Sequence, residues 1–102
     1  MVLYYDSLLD SWYHELRMAS HDKTLQAIFE RPTRSDIKWR DIEALLAHLG
    51  AVITPGNGSR VRIALSGTKA VLHRPHPRKE ASKGCVESVR TFLENAGVER
   101  DV

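Results

Sequence analysis

Two histidines, His73 and His76, stand among four cations, Arg74, Arg78, Lys79 and Lys83. Histidine titrates near neutrality, so it can take a proton and return one. Arginine and lysine hold phosphate oxygens, arginine often with two parallel bonds. The combination suits proton transfer on a phosphate-bearing molecule. Two more arginines, Arg60 and Arg62, follow Gly58-Ser59. His76 lies between Pro75 and Pro77, which restrict that loop and help fix its direction. It is the leading acid/base candidate, against the plainer reading of a loop histidine that only bonds phosphate or backbone. His73 faces either the basic surface or the core, because strand alternation sets it opposite Arg74. Ser59 is a candidate positioning hydroxyl, or simply a serine in a hairpin turn.

The remaining reactive side chains read as structural. His14 and His21 have no chemical neighbourhood and read as surface. His48 ends a predicted helix, where it favours the negative end of the dipole. Cys85 has no base beside it in sequence and reads as packing. Trp39 reads as a core or hinge anchor. There is no CxxC, and His73 and His76 have only Glu80 near them, so no metal or other cofactor is expected.

The 102 residues fit one small domain. They exclude a doubly wound cofactor domain and an eight-fold strand–helix barrel. Net charge is only +2, but it is unevenly spread. Residues 60–90 hold eight Lys/Arg against Glu80 and Glu87, a net of +6. Residues 1–59 and 91–102 are each −2. One cysteine allows no internal disulfide and suits a reducing cytoplasm. Asp6 and Asp10 interrupt the apolar start, so neither a signal peptide nor a membrane span is expected. The expected location is cytoplasmic.

These candidates need elements to position them. Tyr5, Leu8, Leu9, Trp12 and Leu16 share a helical face. The first 17 residues are either a short amphipathic helix or codons ahead of a true start at Met18. A helix is predicted over about 23–31, ended by Pro32, and another over 37–49, ended by Gly50. Three short strands follow, at 51–54, 60–65 and 69–74. They are separated by Pro55-Gly56-Asn57-Gly58 and Ser66-Gly67-Thr68 turns. A last helix over 82–96 has Ser82 as its N-cap and ends at Gly97. Short turns make the strands antiparallel. The expected fold is a two-layer α+β domain of helix, three strands and helix, with an N-terminal helical extension. The expected boundaries are 1–35 for extension and linker, 36–97 for the domain and 98–102 for the tail. The cations then collect on one sheet face and at the start of the last helix. A helix start favours phosphate, and basic residues there run against ordinary helix design. The plain alternative is a set of solvated charges.

This order resembles the double-stranded-RNA-binding fold, which reads RNA by shape and phosphate contacts. More narrowly, three pieces resemble the HicA family of bacterial toxins: Gly58-Ser59 before the second strand, His73 to Glu80, and Ser82-Lys83-Gly84 leading to VESVRTFLENAG. The resemblance covers about residues 36–97. It implies an mRNA endonuclease of low sequence specificity that blocks translation and is restrained by a HicB-type antitoxin; with no metal-ligand spacing in the chain, the cleavage is expected to be metal-independent. Taken with the basic surface, this gives RNA contacts at Ser59, Arg62, Arg74, Arg78, Lys79 and Lys83, and the catalytic candidates are His76, which matches the family's second histidine, Arg60 and His73. The family places its catalytic histidine after Gly-Ser, where this chain has Arg60. Arginine cannot act as a general base, but it can hold phosphate or stabilise negative charge. Either the base lies elsewhere or the chain binds RNA without cutting it efficiently. A non-catalytic RNA-binding module and an interaction protein for an acidic partner are the competing readings.

Overall fold

The computed structural model describes residues 20–98. The expected amphipathic helix over the first 17 residues, His14, Met18 and all of the tail beyond Val98 lie outside them. The first described helix, α1, covers 20–29. It stops ahead of Arg31, because the residue before a proline disfavours helical geometry. Then come α2 (Trp39–His48), β1 (Val52–Pro55), β2 (Arg60–Leu65), β3 (Thr68–His73) and α3 (Lys83–Asn95).

The three strands form one antiparallel sheet in the order β1-β2-β3. β2 and β3 are joined by Ser66-Gly67, both at positive φ, as a two-residue hairpin turn requires. The alternation along β2 is clear. Val61 and Ile63 are buried while Arg60 and Arg62 are exposed. Leu72 is the buried counterpart on β3. The buried face meets Ile42, Leu45 and Leu46 of α2 and Val86, Val89, Phe92 and Leu93 of α3. The other face of the sheet stays open. This is the expected two-layer α+β fold.

Residues ahead of 36 also feed the core. Leu25, Ala27 and Ile28 of α1 are buried in the same cluster as α2 and α3. Both long helices close the same way. Gly50 N–H donates to the Ala47 carbonyl and Ala51 N–H to the Leu46 carbonyl, each at 3.0 Å. Gly50 has φ +91, which an L side chain tolerates poorly. Gly97 and Val98 repeat the pattern on Glu94 and Leu93.

Candidate active site

The strand register sets Arg60 directly opposite His73. Both are exposed. Directly opposed residues share a face, with Cβ atoms about 4.5–5.5 Å apart. His73 therefore faces the basic surface and not the core. Arg62 lies opposite Val71 and Thr54, and Lys69 opposite Ala64. The open face thus carries Arg60, Arg62, Lys69 and His73 around an apolar strip of Val52, Ala64 and Val71. Val52 is 63% and Val71 54% exposed. The strip, with Arg62 and Lys69, lines a cleft of about 400 Å³.

Local bonds hold Arg60 in this position. Gly56 N–H donates to the Arg60 carbonyl at 2.8 Å, and Arg60 N–H to the Asn57 carbonyl at 3.2 Å. A Cβ at Gly56 would stand 3.2 Å from the Arg60 Cβ and 3.3 Å from its carbonyl oxygen. Glycine is what lets the turn close against Arg60. Arg74 N–H donates to the Ser59 carbonyl at 2.7 Å. That bond keeps the end of β3 beside the start of β2, so the Arg60–His73 pair does not fray. Ser59 acts here through its backbone.

Beyond His73 the chain leaves the sheet, as Pro75 and Pro77 require. His76 lies on this exposed connection. The segment is then pinned again. Trp39 N–H donates to the Lys79 carbonyl at 2.9 Å, and Ala81 N–H to the Ile37 carbonyl at 2.8 Å. Lys38 and Glu80 form a bridge between them. This small ladder brings the start of α2 against the β3–α3 connection. Arg74, Arg78 and Lys79 thereby share a cleft of about 390 Å³ with Lys38, Trp39 and Arg40. Lys38 and Arg40 were not among the residues singled out by sequence. Their signal was weak, a Lys-Trp-Arg triplet at a helix start. Only the ladder makes them neighbours of Lys79.

Lys83 opens α3 and is exposed, but it does not line that cleft. The first turn of α3 contains no acidic residue. Ser82 caps it, its hydroxyl accepting from the Cys85 N–H at 3.1 Å. Ser82→Ala should cost about 1 kcal/mol, read as a lower urea midpoint with unchanged slope. The Cys85 thiol is pushed up by burial. The helix start does not activate it, so the thiolate fraction is reduced at any given pH. Alkylation of Cys85 at pH 8 should be slower in the native protein than in guanidinium, as followed by mass spectrometry.

Two residues have roles that sequence did not show. Arg90 belongs to the +6 segment but is only 5% exposed. Its Nε donates to the Ile28 carbonyl at 2.9 Å. Its Nη2 donates to the Glu30 carbonyl at 3.2 Å and to Thr33 Oγ1 at 3.0 Å. It caps the end of α1 and takes no part in the basic surface. His21 has a definite neighbour after all. Its ring stacks on His48 with centroids 4.3 Å apart and planes 22° apart. Trp39 is the core anchor expected, at 7% exposure.

Residues 39–98 match the family model of the HicA toxin of bacterial toxin–antitoxin systems. The chain belongs to the HicA toxin family. The match runs from the first residue of α2 to Val98, so Arg60, His73 and His76 all fall within it. No curated relative and no solved structure matches the chain. Membership of the HicA family implies an antitoxin partner. Among the described residues, no helix is long and apolar enough to cross a membrane.

Proposed function

We propose that this HicA-family chain is an mRNA interferase that cleaves RNA in the cytoplasm through the RNA's own 2′-hydroxyl, without a metal ion. The observation that carries this reading is the Arg60–His73 pair on the open face of the sheet. The reaction needs three things: a base for the 2′-hydroxyl proton, an acid for the leaving 5′-oxygen, and positive charge on the phosphate. His73 takes the 2′-hydroxyl proton, and the 2′-oxygen attacks phosphorus. Arg60 holds the non-bridging oxygens as charge builds on them. His76, on the connection after β3, protonates the departing 5′-oxygen. The products are a 2′,3′-cyclic phosphate and a 5′-hydroxyl. Arg60 thus supplies electrostatic stabilisation where the family has a histidine, and the base moves across to the neighbouring strand.

Arg62 and Lys69 extend the charge along the same face. Phosphate contacts there make RNA binding fall as salt rises. A HicB-type antitoxin encoded as a partner would restrain the activity. The test is growth on induction in a bacterial host. Wild type should arrest growth, and Arg60→Ala and His73→Ala should not. Arrest that persists in both variants would falsify the assigned roles.

A further inference from the structure

We propose that the cleft between the start of α2 and the β3–α3 connection is a second phosphate subsite, which grips the RNA backbone away from the reacting phosphate. The inference rests on the RNA reading above. Five cationic residues line the cleft: Lys38, Arg40, Arg74, Arg78 and Lys79. No carboxylate lines it with them. The nearest ion pair is Arg40 Nε with Asp41 Oδ1 at 3.8 Å, on two largely solvated side chains, and such a pair holds little energy. Five like charges around one concavity repel one another, and an anion relieves that repulsion. Pro75 and Trp39 complete the wall. The Trp39 Nε1 is buried and has no hydrogen-bond partner, whereas buried donors are nearly always met. Lys38, the N-cap of α2, makes no side-chain cap bond. The helix start adds a positive potential of its own, which Asp41 in the first turn partly offsets.

The ligand these groups recognise is a phosphodiester. Arg74, Pro75, Arg78 and Lys79 line the cleft on one side, and Arg74 directly follows His73. β3 ends at His73, so an RNA strand that places its scissile phosphate at Arg60 would bring a neighbouring phosphate to Arg74 by passing round the end of that strand. A grip of this kind acts equally on substrate and transition state. It lowers KM and leaves kcat alone.

The experiment uses the full chain with a short single-stranded RNA. The variant is Lys38→Ala with Arg40→Ala, both exposed positions. RNA affinity should fall about tenfold. The slope of log affinity against log salt should become shallower by about one phosphate contact. KM should rise by a similar factor, with kcat within about twofold. In a Trp12→Phe background Trp39 is the one remaining indole. Its emission should respond to RNA, and the response should vanish in the double variant. Lys38→Arg with Arg40→Lys should retain most of the affinity. An unchanged affinity and salt slope in the double variant would overturn the subsite while leaving RNA cleavage standing. Loss of antitoxin binding with RNA binding intact would overturn it in favour of a protein contact. Failure of the wild-type chain to bind RNA at low salt would overturn both the subsite and the reading beneath it.

Discussion

His73→Ala should lower the rate of RNA cleavage by about 10²–10⁴-fold, the usual contribution of one proton-transfer group. The side chain is exposed on the sheet, so its removal leaves no cavity and should shift the thermal midpoint little. RNA affinity should stay within a few-fold, since cations do most of the holding. Arg60→Ala should cost about 10²–10³-fold through lost charge stabilisation. Arg60→Lys should recover only part of this, because an ammonium cannot offer two parallel bonds. The double variant separates a pair from two independent residues. If Arg60 and His73 act on one phosphate, the losses should fall short of additive. His76→Ala should also slow cleavage. If it alone did so, the acid and base would both lie on the loop, and the cross-strand pair would be irrelevant.

Arg90→Ala should be the most destabilising single change at a charged residue, by about 2–4 kcal/mol. The guanidinium makes three bonds, to the Ile28 and Glu30 carbonyls and to Thr33 Oγ1. α1 ends at residue 29, and the last carbonyls of a helix have no partner within it. Arg90 supplies those partners from another helix. Truncation would leave the carbonyls short of donors and open a void beside α1. A small domain has only about 5–15 kcal/mol in hand. The melting midpoint should drop by about 10–25 °C. Arg90→Lys should restore a minority of that loss, since one ammonium cannot span three acceptors set for a planar fork. A midpoint within about 3 °C of wild type in Arg90→Ala would remove this role. RNA binding by the folded fraction should be unchanged, which sets Arg90 apart from the surface cations.

What was legible in the sequence is what local chemistry decides. The alternation of Arg60 to Leu65, the Ser66-Gly67 turn, the Ser82 cap and the glycines after both helices are short-range patterns. Each appears in the fold within a residue or so of its expected place. The open sheet face was legible too, because Arg60 and Arg62 fall on one side of β2. The choice between the two orientations of His73 was not. It depends on how β2 pairs with β3, which is a property of two strands together. Lys38 and Arg40 were missed for the same reason. They join Arg78 and Lys79 only through the Ile37–Ala81 and Trp39–Lys79 bonds. Arg90 did carry a signal. It follows Val86 by four and precedes Leu93 by three, so it lies on the buried stripe of α3. A charged residue on that stripe marks a capping or pairing role, and counting it with the surface cations overstated the basic face.

The departure at Arg60 is the point on which the reading turns. The family's position after Gly-Ser holds a side chain that stays protonated and cannot serve as a base. The fold nevertheless sets a histidine directly across from it. In the proposed mechanism the chemistry is thereby divided between two strands, with charge on β2 and proton transfer on β3. Whether the RNA's own 2′-hydroxyl is the nucleophile can be read from the ends it leaves. Purified protein, incubated with RNA in excess chelator, should yield fragments with a 2′,3′-cyclic phosphate on one side and a 5′-hydroxyl on the other, and His73→Ala should yield almost none. Fragments bearing 5′-phosphates, or cleavage that stops in chelator, would contradict the account.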